Sequence, residues 1–211
     1  MKFERVNKLL AEKLIVILRV KHSEDIIPIV QCLAAAGIKA LEVTANTPNF
    51  CAAISRIRSE FPEVLVGAGT ITNVLLAQQA MAAGAQFLVT PNTSSAVVKV
   101  AHEQEVPVVM GAFTPTEIVA AIEAQADIVK LFPAEPMGPD YLKSLAFGPF
   151  NDTIFFPVGG INELNIERWA NSGAKGIGVG GSLAAPVRTP EEAQRLVERL
   201  KTLIEKVATL F

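Results

Sequence analysis

Short runs of apolar residues alternate along the chain with longer segments in which apolar positions recur every three to four residues. Runs of the first kind are typical of buried parallel strands, and segments of the second kind are typical of amphipathic helices. The pattern predicts strands at Leu14–Arg19, Ala40–Thr44, Val64–Ala68, Gln86–Thr90, Val106–Met110, Asp127–Leu131, Ile154–Val158 and Lys175–Val179. It predicts helices between them, among them Asp25–Ala36, Phe50–Phe61, Asn73–Ala83, Ser94–Glu105 and Thr116–Ala124.

Eight strand–helix units in one chain predict an α/β fold of the (β/α)₈ TIM barrel type. An extra N-terminal helix at Phe3–Lys13 would close the bottom of the barrel or pack outside it. A doubly wound open sheet is the alternative, but no Gly-x-Gly-x-x-Gly fingerprint follows the first strand. Because no linker or low-complexity segment interrupts the pattern, we expect residues 1–211 to form a single barrel domain.

Local signals mark several helix ends. Ser23 precedes Glu24-Asp25 as a candidate N-cap, and Thr114-Pro115-Thr116-Glu117 has the spacing of a capping box with proline in the first turn. Three glycines each follow a predicted helix and precede a strand, where a C-cap glycine is common: Gly37, Gly84 and Gly173.

Composition narrows the class of protein. Half of the 211 residues are hydrophobic and 19% are charged, which supports a large core and excludes a disordered chain. The net charge is −2 without a basic block, so nothing points to nucleic acid or to an anionic membrane. His22 and His102 are expected to be isolated residues at the surface, and no cluster of three metal ligands is visible, so we expect no metal and no cofactor. The N-terminus lacks the features of a secretory signal, and both cysteines are expected to be reduced, which predicts a cytoplasmic enzyme.

Lys130 interrupts the apolar strand Asp127–Leu131. An ammonium group is costly to bury unless it is paired or has lost its proton, and desolvation lowers the pKa of an amine toward neutrality. A lysine in such a strand is therefore a candidate nucleophile. The alternative is a side chain that extends from the end of the strand into water.

Glu42 lies in Ala40-Leu41-Glu42-Val43-Thr44, where alternation places Ala40, Glu42 and Thr44 on one face of the strand. Leu41 and Val43 suit packing against helices, so Glu42 should point into the barrel. A carboxyl group there is either a structural partner of a lysine or a general base with a raised pKa.

Glycine pairs follow the last two predicted strands, as Gly159-Gly160 and as Gly180-Gly181-Ser182. In barrels of this class a phosphate site is often built from these two loops and from the N-terminus of a short helix. The alternative is that the glycines only allow tight turns.

Taken together, the residues resemble the family of 2-keto-3-deoxy-6-phosphogluconate (KDPG) and 4-hydroxy-2-oxoglutarate (KHG) aldolases. The matching motifs occur in the family's order: Leu41-Glu42-Val43-Thr44, Gly67-Ala68-Gly69-Thr70, Val89-Thr90-Pro91-Asn92, Lys130-Leu131-Phe132-Pro133-Ala134-Glu135, Gly159-Gly160-Ile161 and Gly180-Gly181-Ser182. The resemblance implies a homotrimeric barrel that uses a Schiff base (imine) and needs no metal.

The resemblance also implies a role for each matching position. Lys130 corresponds to the Schiff-base lysine and Glu42 to the general acid/base. Arg19, Thr70 and Pro91 correspond to residues that position the substrate carboxylate and the lysine. The phosphate site corresponds to Gly159, Gly160, Gly180, Gly181 and Ser182.

Two positions depart from the 6-phosphogluconate pattern. Asn46 and Val158 stand where many such members have arginine and threonine, and both resemble the 6-phosphogalactonate branch. The predicted activity is cleavage of a 2-keto-3-deoxy-6-phospho sugar acid to pyruvate and glyceraldehyde 3-phosphate, of 4-hydroxy-2-oxoglutarate to pyruvate and glyoxylate, or of both. Alternatives are a 6-phosphogalactonate-type aldolase, an oxaloacetate decarboxylase that uses the same imine, and a phosphate-binding barrel without catalysis.

Overall fold

The computed structural model describes residues 1–181 and 183–211. Within these residues eight strands form one parallel sheet: β1 Leu14–Leu18, β2 Ala40–Thr44, β3 Leu65–Gly69, β4 Leu88–Val89, β5 Val108–Ala112, β6 Ile128–Leu131, β7 Phe155–Pro157 and β8 Ile177–Val179. Their order in the sheet is β7-β6-β5-β4-β3-β2-β1-β8. A parallel bridge between Val158 and Gly178 joins the two edges and closes the sheet. The predicted TIM-barrel fold is confirmed.

Helices alternate with the strands and cover the outside of the sheet. They are α1 Lys2–Glu12, α2 Ile26–Ala36, α3 Phe50–Glu60, α4 Val74–Ala82, α5 Ser95–His102, α6 Pro115–Glu123, α7 Gly138–Ala146, α8 Ile166–Ala170 and α9 Pro190–Leu210. None of the described helices is both long and apolar enough to cross a membrane.

The sheet is buried on both faces, and strand alternation separates its side chains into two clusters. Outward-facing residues such as Val16, Leu41 and Val129 pack against the helices. A smaller inward-facing cluster contains Ile15, Ala40, Leu65, Phe87, Val89, Val109, Ile128 and Phe156. Leu9 of α1 belongs to this inner cluster and is fully buried. Helix α1 therefore closes the N-terminal end of the barrel, which was one of the two placements that the sequence allowed.

A polar cluster helps to fix α1 at this end of the barrel. Lys2 Nζ lies 3.0 Å from Asp127 Oδ1, and His102 Nε2 lies 2.8 Å from Asp127 Oδ2. The Val108 N–H also donates to Asp127 Oδ2, at 2.9 Å. His102 is thus a half-buried partner of Asp127, and the prediction of an isolated residue was wrong for it.

Among the described strands only β2 has its predicted bounds, and the other seven begin or end one or two residues away from them, β4 and β5 among them. Strand β4 is only Leu88–Val89, although inter-strand backbone hydrogen bonds continue on both sides of it, from Gln86 N–H to Val66 O at 2.8 Å and from Thr90 N–H to Val109 O at 3.1 Å. Strand β5 begins at Val108 because Pro107 has no N–H to donate to a ladder.

The capping signals predicted at helix ends are confirmed except at Ser23, although α5 ends at His102 rather than at Glu105. Thr114 and Glu117 form the full capping box at the start of α6. The three glycines after helices have left-handed φ angles: Gly37 99°, Gly84 95° and Gly173 92°. Ser23 instead opens a 3₁₀ turn, Ser23–Asp25, and α2 begins after it at Ile26 without a side-chain cap.

Candidate active site

Glu42 on β2 and Lys130 on β6 lie on the inner face of the barrel. Each follows an inward-facing residue of its own strand by two positions, Ala40 and Ile128 respectively, so alternation points both side chains inward. Glu42 is 2% exposed and Lys130 is 5% exposed. Both therefore lie above the apolar inner cluster, toward the C-terminal ends of the strands, where barrels of this class carry their chemistry.

Glycines on the neighbouring strands make room for these two side chains. A Cβ at Gly69 on β3 would collide with the Glu42 carboxyl group. Gly111 on β5 pairs in register with Lys130, and a Cβ there would meet the backbone of Pro91 and Asn92. Larger residues at these two positions would displace the acid or the loop that borders the lysine.

Burial drives both ionisable groups toward their neutral forms. It raises the pKa of the Glu42 carboxyl and lowers the pKa of the Lys130 amine, although the attraction between the two groups opposes both changes. The positive charge of Arg19 acts on both groups as well, and it lowers the pKa of each. The site thus holds an amine that sheds its proton more readily than a surface lysine, beside an acid that keeps its proton longer.

Phe132 borders the amine. Lys130 Nζ lies 4.8 Å from the centroid of the Phe132 ring, within the range of a cation–π contact when the amine is charged. The sequence pattern did not single out Phe132 as a site residue. Its position two residues after Lys130, on the same face of the chain, was the signal that could have found it.

Hydrogen bonds from two threonines fix the loop that carries Pro91. The Thr90 hydroxyl donates to Asn92 O at 2.7 Å and accepts from Gly111 N–H at 2.9 Å. The Thr93 hydroxyl donates to Gly111 O at 2.9 Å. Since Gly111 pairs with Lys130, these bonds hold Pro91 close to the strand of the buried amine.

Thr70 follows Gly69 and has a φ angle of 58°. A β-branched residue in this left-handed region is strained, and such strain is found often at functional sites. Thr70 is half-buried and lies directly after the glycine that contacts Glu42. The structure thus places Thr70 at the edge of the site that the sequence predicted for it.

A cavity of about 520 Å³ opens beside the buried pair, a volume typical of sites for small molecules. It is lined by Ile17, Arg19, Phe132, Glu135, Val158, Gly159, Gly160, Ile161, Asn162, Gly178, Gly180 and Gly181. The structure therefore brings Arg19 together with four of the five predicted phosphate residues; the fifth, Ser182, lies outside the described residues. Lys130 and Glu42 do not line this cavity, and Phe132 connects it to the amine.

The glycine loops have backbone conformations that side chains disfavour. The φ angles are 102° at Gly159, 75° at Gly160 and 64° at Gly181. Within the described residues, the N–H groups of Gly160 and Gly181 donate no hydrogen bond, so they are available to an anionic ligand. The same glycines can therefore form tight turns and present N–H groups to an anion.

The two positions that depart from the 6-phosphogluconate pattern lie in different places. Val158 is buried, lines the cavity and contacts Gly178 across the closure of the barrel. Asn46 is exposed in the loop after β2. Only Val158 thus borders the cavity directly.

Among the described residues, no group of three or more His, Cys, Asp or Glu side chains could hold a metal ion. The site contains a desolvated amine that can form a covalent bond, a desolvated acid that can transfer protons, a guanidinium group, and backbone N–H groups that have no partner in the described part of the chain.

Comparisons with known proteins agree with this geometry. The family model described as KDPG and KHG aldolase matches residues 6–198. A 2-dehydro-3-deoxy-phosphogluconate aldolase of Treponema pallidum is 36% identical over 177 residues, which are 84% of each chain. A 2-dehydro-3-deoxy-6-phosphogalactonate aldolase of Escherichia coli K12 is 31% identical over 197 residues, covering 91% of this chain and 96% of the relative.

Solved structures are similar over nearly the whole chain. A KDPG aldolase of Zymomonas mobilis superposes with a TM-score of 0.83 at 30% identity, covering 93% of this chain and 95% of that one. A KDPG aldolase of Legionella pneumophila, solved with pyruvate captured at low pH as a covalent carbinolamine, superposes with a TM-score of 0.80 at 26% identity, covering 98% and 97%.

The lowered pKa of Lys130 predicts unusual titration of its amine. Competitive labelling with trace acetic anhydride from neutral to alkaline pH, followed by peptide mapping, should show Lys130 deprotonating at lower pH than the lysine side chain of an unstructured model peptide. Since the Glu42 charge favours the ammonium form, Glu42→Gln should move the Lys130 titration lower still. Titration of Lys130 at the same pH as the model peptide would contradict the buried placement of the amine.

Proposed function

The chain belongs to the KDPG and KHG aldolase family, and we propose that Lys130 and Glu42 are the residues with which it catalyses the aldol reaction. The chain is a lyase that acts on a small phosphorylated 2-oxo acid. The observation that carries the assignment is the burial of one amine and one carboxyl group on facing sides of a closed barrel, beside a cavity whose Gly160 and Gly181 N–H groups have no partner among the described residues.

The first step is covalent. Neutral Lys130 Nζ attacks the C2 ketone of the substrate, and loss of water gives an iminium ion. The lowered pKa supports this role, because only the neutral amine is a nucleophile. The iminium then serves as the electron sink for the next step.

Glu42 moves the protons. The carboxylate, directly or through one water, takes the proton of the C4 hydroxyl, the C3–C4 bond breaks, and its electrons pass to the iminium to form an enamine. The aldehyde leaves, Glu42 returns the proton to C3, and water releases pyruvate and Lys130. A raised pKa suits this role, because an acid that keeps its proton at higher pH can both take and return one.

The remaining residues hold the substrate. Arg19 and Thr70 bind the C1 carboxylate, and Pro91 borders the lysine on the loop that Thr90 and Thr93 fix. The phosphate binds at Gly159, Gly160, Gly180, Gly181 and Ser182. The N–H groups of Gly160 and Gly181 support this assignment, since they are without partners in the described part of the chain.

Residue 158 bears on which sugar acid the chain prefers. Val158 lines the cavity and contributes no hydroxyl group where a threonine would, so this position bears on the choice between the 6-phosphogluconate and 6-phosphogalactonate configurations. Oxaloacetate decarboxylation requires the same imine and remains the second candidate, because Lys130 alone could support it. A panel of the two phospho sugar acids, hydroxyoxoglutarate and oxaloacetate, compared by kcat/KM, ranks these substrates.

We also propose the domain organisation, the oligomeric state and the cellular location of the enzyme. Residues 1–211 would form one domain, which works in the cytoplasm as a homotrimer without a metal or cofactor. Large exposed apolar side chains support an oligomer, among them Leu75 on α4 and Phe147 after α7, which are 64% and 67% exposed. Sedimentation of the purified chain tests the trimer.

Replacement of the lysine should stop the reaction. Lys130→Met removes the nucleophile but fills a similar volume, so we expect no detectable pyruvate from any substrate of the panel while the circular dichroism spectrum stays that of the parent. Pyruvate release is followed with a coupled dehydrogenase. Lys201→Met, on the exposed face of α9, is the matched control and should retain full activity. Turnover by Lys130→Met would show that the nucleophile lies elsewhere.

Replacement of the acid should separate imine formation from proton transfer. In D₂O the parent exchanges the methyl protons of pyruvate through the enamine, which proton NMR follows directly. Glu42→Gln should slow this exchange by about 10²–10⁴-fold, the usual contribution of a general acid/base. Borohydride should still trap pyruvate on the variant. If exchange in Glu42→Gln matched the parent, another group would be the base.

A further inference from the structure

Glu135 brings a negative charge into the cavity that we have assigned to a phosphate group. It lines this cavity together with Arg19 and both glycine loops. Its own N–H donates to Gly159 O at 3.2 Å, and the N–H of the preceding Ala134 donates to Val158 O at 2.9 Å. The loop after β6 is thereby fixed to the loop after β7, so the position of Glu135 relative to the glycines is well defined.

The side chain of Glu135 lies across the Cα of Gly160. A Cβ at Gly160 would come within 2.6 Å of Glu135 Oε2 and 2.5 Å of its Cδ. Any side chain at position 160 would displace the carboxylate. The glycine at this position therefore serves two purposes, since its φ angle of 75° also disfavours other residues.

The carboxylate of Glu135 has no partner among the residues that the structure describes. It accepts no hydrogen bond there and forms no salt bridge, although Arg19 lines the same cavity. Both oxygens are therefore free to accept hydrogen bonds from a bound molecule. A carboxylate repels a phosphate dianion, so its natural partner is the hydrogen-bond donor that lies next to the phosphate in the substrate.

We propose that Glu135 is a specificity-determining residue that accepts a hydrogen bond from the hydroxyl group on the carbon between the reacting aldehyde carbon and the phosphate-bearing carbon. Within the site formed by the two glycine loops, the phosphate then lies nearer to Gly181 than to the Glu135 carboxylate, and Glu135 selects aldehydes with a hydroxyl group at this carbon. This assignment rests on the proposed function, because it presumes that a phosphorylated aldehyde is the second product.

The test compares two aldehydes in condensation with pyruvate: glyceraldehyde 3-phosphate, which carries the hydroxyl group, and 3-oxopropyl phosphate, which lacks it. For the parent we expect kcat/KM to favour the hydroxylated aldehyde by about tenfold or more, the usual worth of a hydrogen bond to a charged group. Glu135→Leu should lose activity only with the hydroxylated aldehyde, so that the ratio falls to about one. Glu135→Gln should retain a preference, because its amide oxygen still accepts.

Inorganic phosphate, used as a competitive inhibitor, tests whether the Glu135 carboxylate lies close to the bound phosphate. Removal of the carboxylate in either variant should lower the inhibition constant of phosphate by about threefold or more, because the like charge is gone. Glu123→Gln removes an exposed acid at the opposite end of the barrel and should change neither quantity. Circular dichroism of each variant shows that the fold is kept.

Two results would overturn the assignment: the same aldehyde ratio in the parent and in Glu135→Leu, or an unchanged inhibition constant for phosphate in both variants. A failure of the proposed function looks different. In that case the parent itself does not condense pyruvate with either aldehyde. The role proposed for Glu135 is then contradicted as well.

Discussion

Desolvation of one amine and one carboxyl group in the mouth of the barrel is the constraint on which the rest of the structure depends. Lys130 and Glu42 are almost completely buried, and burial shifts the pKa of each toward its neutral form despite their attraction. Buried ionisable groups of this kind are weak evidence for stability, because desolvation offsets much of the gain from pairing. Their retention in an otherwise apolar barrel is therefore better explained by chemistry.

The barrel divides stability and chemistry between its two ends. At the N-terminal end Leu9 completes the apolar inner cluster, and Asp127 joins α1 to neighbouring elements through Lys2 and His102. At the other end the inner face carries glycines where a packed core would carry larger side chains. Gly69 leaves room for the Glu42 carboxyl group, and Gly111 leaves room for the loop beside Lys130. The space that the two glycines leave is therefore occupied by groups of the candidate active site.

Sequence patterns predicted the periodic part of this structure and the residues whose chemistry is out of place. The eight strands follow from alternation and apolar runs, while Lys130 and Glu42 stood out because charges do not belong in such runs. The contacts of His102, Phe132 and Glu135 could not be predicted in the same way. His102 meets Asp127 only after α5 and β6 become neighbours, and Glu135 lies over Gly160 only because two loops are hydrogen-bonded. Such contacts depend on strand register and closure, which local sequence does not determine.

The most direct test of the account is chemical capture of the covalent intermediate. The purified chain is incubated with pyruvate and sodium borohydride, and the modified residue is located by peptide mass mapping. We expect one reduced pyruvate adduct per chain, on Lys130, and none in Lys130→Met. An adduct on another lysine, or no adduct on a folded parent, would contradict it.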